Sequence, residues 1–537
     1  MRNRNLSHGG HVLARGQTLL LLALWLAAAP RAHATIAFWT GVGGANWSGN
    51  GGTQNWSSTV ANPGTPYTPV NGDDLRWLSF STANKESVND IANLSVGNVS
   101  FQGAPSGIVL SGNTLTVTGT VGSASGGGAG TINLPLELNA ATVVIGNASG
   151  DNITINGGIS ETGGSRGIRV NAGTVTLAGS NSFSGNVQLA YTTAGPTVNI
   201  NTLGNIGANQ SLGAGSLITF GFRASDGTVV YSGGETATNK GFAIGENSSQ
   251  SGRTGGGSFV NNGTGAVTWT GPQTRLNQNA AETRTFGLGG SNAGNNTWQS
   301  AIQNNNAGLI AFTKSGTGTW ILSGANTYDG DTLVSAGVLL INGDQSGALG
   351  AVSVDAGAVL GGTGTIGGVS AAVSGTVAPG LADALGTLSF ASTAVDFSSD
   401  GSLLAQLDAA SFTSDLLSLT GTGSLTLGGT STLDLVGPAA FTSAGTYTLA
   451  TFPSGNRTSE FTTVKYNGTT YASPTTTGGI NSGGTLVYNA DSIQLVVVPE
   501  PGTLALAGLG MCLAGILARG RRRKSGTGAD LHAPAQG

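Results

Sequence analysis

The chain has 537 residues, a formal charge of −4, only 9% charged residues and 92 glycines. Its four histidines (His8, His11, His33, His532), its single cysteine Cys512 and its two methionines (Met1, Met511) all lie near the ends, so residues 35–498 contain none of these types. That removes the base from Ser-His-Asp and Cys-His catalysis and the usual ligands from zinc, copper and haem sites, and no cofactor or metal is expected. With 12 basic against 23 acidic residues, that region carries −11, which argues against nucleic acid as a partner.

In chain order, residues 1–34 come first. Arg2, Arg4 and Arg15 precede an apolar run from Leu19 to Ala29, and Ala32-His33-Ala34 offers the small-x-small pattern that signal peptidase reads. A signal peptide is therefore expected, with cleavage between Ala34 and Thr35 and an exported mature region. Residues 35–80 hold Trp39, Trp47, Trp56, Trp77 and Tyr67 among Gly and Asn. These aromatics could stack on sugars or close the first turn of a solenoid, and the N-terminal cap is the preferred reading.

Residues 81–382 alternate short runs of Val, Ile, Leu and Thr with clusters of Gly, Asn, Ser or Asp, as in Asn113–Thr118, Thr142–Ile145 and Gly337–Ile341. Such runs predict β-strands. One block recurs: Gly173-Thr174-Val175-Thr176-Leu177-Ala178-Gly179-Ser180-Asn181-Ser182-Phe183-Ser184-Gly185 aligns without gaps on Gly318 to Gly330, with Asn326 under Asn181 and Tyr328 under Phe183. Self-similar strand–turn units predict a β-solenoid whose turns stack over one continuous core. The two copies are placed around 157–190 and 307–342. Asn181 and Asn326 are either a buried ladder of amides at a corner or exposed turn residues. Residues 383–498 carry longer amphipathic strands such as Ser402–Leu407 and Ser431–Val436. They read equally as the end of the solenoid or as a small β-sandwich cap.

At the C-terminus, Pro499, Glu500 and Pro501 precede an uncharged stretch, 502–518, followed by Arg519, Arg521, Arg522, Arg523 and Lys524. Seventeen helical residues cover about 26 Å, close to a hydrocarbon thickness of about 30 Å. One transmembrane helix is expected there, with the basic stop on the cytoplasmic side. A tail, 525–537, follows.

Two resemblances arise from these residues. Val498-Pro499-Glu500-Pro501, the apolar helix and the Arg-rich end of segment 499–524 resemble the PEP-CTERM sorting signal of Gram-negative bacteria, although the tail is longer than usual. The segment Thr313-Lys314-Ser315-Gly316-Thr317-Gly318-Thr319-Trp320, with Leu322 to Tyr328 and Val334 to Leu339, resembles the autotransporter-associated β-strand repeat. The first resemblance implies an exosortase-type processing enzyme as partner besides signal peptidase. It also implies transient inner-membrane anchoring, then a cell-surface or extracellular-matrix location linked with exopolysaccharide and biofilm. The second implies an all-β fold, a right-handed parallel β-helix passenger. Unlike a self-exporting passenger, the chain shows no C-terminal pattern of transmembrane barrel strands.

The expected function is that of a non-catalytic structural or adhesive surface protein, with exopolysaccharide as a candidate partner and no catalytic, cofactor-binding or metal residue assigned. The alternative is a β-helical polysaccharide lyase or glycoside hydrolase using carboxylates. Its candidates are Asp73-Asp74, Asp329 with Asp331, and Glu161 near Arg166 and Arg169, of which the aspartates read first as turn residues. Gly163-Gly164-Ser165-Arg166-Gly167 fits the nucleophile-elbow pattern, but with no histidine available it is read as chance.

Overall fold

The computed structural model describes residues 34–498 apart from 50–53, 61–63, 80, 82–83, 104–106, 124, 190–194, 249, 279–281, 381–383, 473–478 and 482. Among the described residues the secondary structure is strand and turn, with no helix. The leader, the sorting segment and the 502–518 stretch lie outside them. No described helix is long and apolar enough to cross a membrane.

The strands are short because the sequence punctuates them, and the chain winds around three faces, with several turns contributing strands to only two of them. A sixteen-stranded sheet runs from Glu86–Asn89 to Arg457–Thr458. A second face is an eleven-stranded sheet that includes Ile36–Trp39 and ends at Gly241–Ile244; a seven-stranded sheet beginning at Asp344–Gln345 later takes its place in the strand order. The third is a four-stranded sheet from Ser95–Val96 to Ile159–Glu161, followed by a twelve-stranded one that starts at Thr236–Thr238. Nearly every pairing is parallel, as between Asn152–Ile155 and Thr174–Leu177. This is the arrangement of a β-solenoid.

Alternation puts one set of side chains inside, where equivalent residues stack from turn to turn. Ile153, Val175, Val198, Val229 and Phe259 sit opposite one another in register, all with 0% exposure. Burying each such side chain contributes roughly 1.5–3 kcal/mol, and the resulting core is continuous along the solenoid.

The turns are not of one size. Gln303 N–H reaches back to Gln273 Oε1 across 30 residues, whereas Ala351 N–H reaches Asp331 Oδ1 across only 20. The long turns are filled by aromatics: Trp269 and Trp298 stack at 4.7 Å, and Phe242 and Phe286 pack against Trp298. The short ones use Val352, Val354, Ala358 and Ala371. Side-chain volume thus follows the length of the turn that must be filled.

Antiparallel strands appear at both ends. Ile36–Trp39 pairs with Trp56–Ser57, which pairs with Pro66–Tyr67. There Trp39, Trp47, Trp56 and Trp77 are buried against one another edge to face, so they offer no platform for a sugar. At the other end, Ser402–Asp408 and Leu416–Thr420 continue the parallel sheets, so this segment is more solenoid and not a separate sandwich. Gly445–Thr451, Gly484–Tyr488 and Ser492–Val497 then close it in antiparallel fashion. Such strands satisfy edges that would otherwise recruit another chain.

Candidate functional surface

The repeat copies and one outer groove are the parts of the molecule that its architecture alone does not explain. In both repeats the corner asparagine is buried, Asn181 at 0% and Asn326 at 1%. Asn181 Oδ1 accepts the Ile159 N–H at 2.8 Å, 22 residues back, and Asn326 Oδ1 accepts the Ile302 N–H at 2.7 Å, 24 residues back. Each joins its turn to the previous one, and neither pairs with the other. An actual amide ladder occurs where sequence had not suggested it, with Asn261 Nδ2 donating to Asn296 Oδ1 at 2.6 Å.

Lys314 is the residue of the repeat whose role the sequence did not reveal. It stands in an inward stack of otherwise apolar residues, opposite Leu288 on one side and Val334 on the other. Its Nζ donates to the carbonyls of Ser315, Gly316 and Ala336, each at 2.9 Å. Gly337 adopts φ +66, and a Cβ there would meet the Gly316 and Gly318 carbonyl oxygens at 2.5 and 2.6 Å and that ammonium at 2.8 Å, so only glycine fits this close approach of backbone beside the lysine. Burial pulls the Lys314 amine down to about 8, and Lys240, which donates to Gly213 and Gly215 carbonyls, likewise to about 8. Both are structural cations that satisfy turn carbonyls.

On the outside, a groove of about 850 Å³ crosses the strands Thr142–Ile145, Gly167–Val170, Val187–Leu189 and Leu217–Phe220 and reaches Gly245. At about 4.8 Å per strand, the distance from the first strand to Gly241–Ile244 is roughly 19 Å. Hydroxyls and amides line it (Thr142, Ser184, Asn186, Gln188, Thr219, Asn247), with Leu217 and Phe222 as apolar patches. Its carboxylate, Glu246, lies 3.2 Å from Arg253.

The carboxylates proposed for a lyase or hydrolase are all engaged. Glu161 stands at the groove's edge, accepting the Ser184 hydroxyl at 2.6 Å and the N–H groups of Ser184 and Arg166. Burial would raise its pKa, but these bonds and the Arg166 charge outweigh that and hold it below the usual range. A carboxylate so held is a poor general acid. Arg166 turns back on Thr162 and Gly163 carbonyls, and Arg169 donates to Gln188 at 3.0 Å. Asp73 is buried and Asp74 accepts from Asn98 at 2.9 and 2.8 Å. Asp329 and Asp331 bind Asn304 and the Ala351 N–H, as turn residues do. The structure brings Glu161, Arg166 and Arg169 near one groove, and leaves the aspartates at separate turns.

Comparison with known proteins sharpens this picture. Residues 170–193 and 312–341 match the passenger-associated-transport-repeat family, and residues 497–523 match the PEP-CTERM protein-sorting motif. The chain carries a PEP-CTERM protein-sorting motif and two passenger-associated-transport repeats. The motif and the repeats make it an exported surface protein. The chain is also 48% identical over 75 residues to the adhesin BmaC autotransporter of Brucella suis biovar 1 (strain 1330), covering 14% of this chain and 2% of that one. It is 45% identical over 85 residues to an extracellular serine protease of Serratia marcescens, covering 16% and 8%. The chain thus spans only a small part of the length of either relative. Apart from Ala34 and Thr35, the proposed processing residues lie outside the described part of the molecule. Ala34 is exposed and Thr35 begins the ordered pairing.

Proposed function

We propose that this chain is a non-catalytic structural or adhesive rod of the cell surface or extracellular matrix, displayed in contact with exopolysaccharide and tied to biofilm formation. In this reading signal peptidase cuts between Ala34 and Thr35, and the 502–518 helix holds the chain transiently in the inner membrane with Arg519, Arg521, Arg522, Arg523 and Lys524 as its stop. An exosortase-type enzyme then reads Pro499, Glu500 and Pro501. Residues 35–80 act as the N-terminal cap, 81–382 as a right-handed parallel β-helix with the repeats, and 383–498 as its C-terminal part. The observation that carries the reading is a sorting motif placed directly behind a continuous β-solenoid.

The groove supports contact with polysaccharide. Its hydroxyls and amides suit sugar hydroxyls, and its apolar patches suit the C–H faces of the rings. The relative named as an adhesin supports the adhesive part. The relative named as a serine protease favours a second reading, but residues 35–498 hold no histidine to act as base.

The test incubates the purified exported chain with neutral and acidic exopolysaccharides from a producing culture. Retention on the polysaccharide, weakened by Gln188→Ala with Thr219→Ala, is the expected result, with no new reducing ends or unsaturated products. Product formation that Glu161→Gln abolishes would establish the hydrolase or lyase instead.

A further inference from the structure

The first strand begins one residue after the expected cleavage point, and its start is held by a buried carboxylate. The Thr35 backbone nitrogen donates to Asp73 Oδ1 at 3.2 Å, and its carbonyl accepts the Asp74 N–H at 3.0 Å. From there Ile36–Trp39 runs in register with Asp74–Arg76. Asp73 is 2% exposed. Its Oδ2 accepts the Tyr67 hydroxyl at 2.6 Å and the Val70 N–H at 2.9 Å. All three donors are neutral while Thr35 is an interior residue. A buried carboxylate held by neutral donors gains most from a cation at hydrogen-bond distance.

We infer that the Asp73 carboxylate is a built receptor for the α-ammonium of Thr35, so that leader removal completes the first turn of the solenoid. In the cleavage, water adds across the Ala34–Thr35 peptide bond. The hydroxyl goes to the Ala34 carbonyl carbon, giving a carboxylate that departs with the leader, and the Thr35 nitrogen leaves as an amine that takes up a proton. A free α-amino group titrates near 8, and a carboxylate at its side favours the charged form. The new cation replaces a neutral N–H on the same oxygen and ties Thr35 to the Tyr67–Asp73 turn. Strand Ile36–Trp39, which carries Trp39 into the tryptophan cluster, is thereby locked between Asp74–Arg76 and Trp56–Ser57.

This inference rests on the export reading, and the test separates the two. The N-terminus of the exported protein is read by mass; a start elsewhere than Thr35 would overturn the clamp alone, whereas a protein that keeps its leader and is found in no exported fraction would overturn the export reading. With the start at Thr35, native-state hydrogen exchange at pH 7 compares that protein with one retaining Ala34, whose ammonium is displaced by one residue, about 3.8 Å of chain. The amides of Ile36–Trp39 are expected to exchange roughly tenfold more slowly in the Thr35-start form. The difference should vanish in Asp73→Asn and above the α-amino pKa. Equal protection in the two forms would overturn the clamp and leave the export reading standing. That pair of proteins decides the matter even if Asp73→Asn does not fold.

Discussion

The two transport repeats share a sequence pattern but not a place in the architecture. In the first, Thr174–Leu177 lies in the sixteen-stranded sheet and Val187–Leu189 in the eleven-stranded one. In the second, Thr319–Leu322 lies in the twelve-stranded sheet and Thr332–Val334 in the sixteen-stranded one. The same strand–corner–strand unit is therefore rotated by one face of the solenoid. The repeat specifies a local device, a buried asparagine and an aromatic between two strands, and neighbouring turns decide which sheets receive it. The devices also differ in how completely they are satisfied. Asn181 Nδ2 donates to the Ser211 carbonyl at 2.7 Å, while Asn326 Nδ2 finds no hydrogen-bond partner among the described residues. Tyr328 Oη meets Thr332 Oγ1 at 2.8 Å, and in the first copy Phe183 and Val187 stand at those positions with no hydroxyl on either.

The largest expected effect tests what the copies share. Phe183→Ala and Tyr328→Ala should each cost about 3–5 kcal/mol in denaturant unfolding, because both rings are essentially fully buried. A large cost in one copy only would end the equivalence. The asparagines should then separate the copies. Asn181→Leu strands both the Ile159 N–H and the Ser211 carbonyl, Asn326→Leu only the Ile302 N–H, at roughly 1–3 kcal/mol for each buried orphan. The first variant should therefore be the less stable.

The third prediction concerns pH. Between about pH 8 and pH 10 the unfolded chain keeps protons that buried Lys240 and Lys314, each brought to about 8, have shed. Stability should rise there by up to about 1.4 kcal/mol per pH unit for each lysine, and Lys314→Met should remove one share of the slope. Above pH 10 the trend reverses. Tyr328, Tyr466 and Tyr488, pushed up to about 12 chiefly by burial, hold protons that the unfolded chain loses. Stability that falls steadily from pH 8 in urea titrations would contradict this assignment. Smallest is Tyr328→Phe, at about 0.5–1.5 kcal/mol, which Tyr328→Phe with Thr332→Val should largely recover by recreating the first copy's apolar pair.

Much of the fold is legible in the sequence because strand length, alternation and turn residues are local signals. Asn113–Thr118 and Thr142–Ile145 show it, each bounded by turn residues. The repeats were legible for the same reason. What was not legible depends on which turns become neighbours. Lys314 reads as one more polar residue until its place in the inward stack between Leu288 and Val334 is known. Gln188 and Thr219 were not singled out for the groove, since outward residues of separate strands share no spacing until the register sets them side by side. The burial of Asn181 was an open choice for the same reason: its partners are the N–H of the previous turn and a carbonyl 30 residues on. Glu161 with Arg166 was within reach because those residues are close in sequence.

In the proposed route the solenoid reaches the cell surface through two processing events. The most direct measurement is the intact mass of the protein recovered separately from the matrix, surface and inner-membrane fractions of the producing organism. A surface or matrix species that begins at Thr35 and ends near Pro499-Glu500-Pro501 is expected. A chain found solely in the inner membrane with its C-terminus through Gly537 intact would contradict the route.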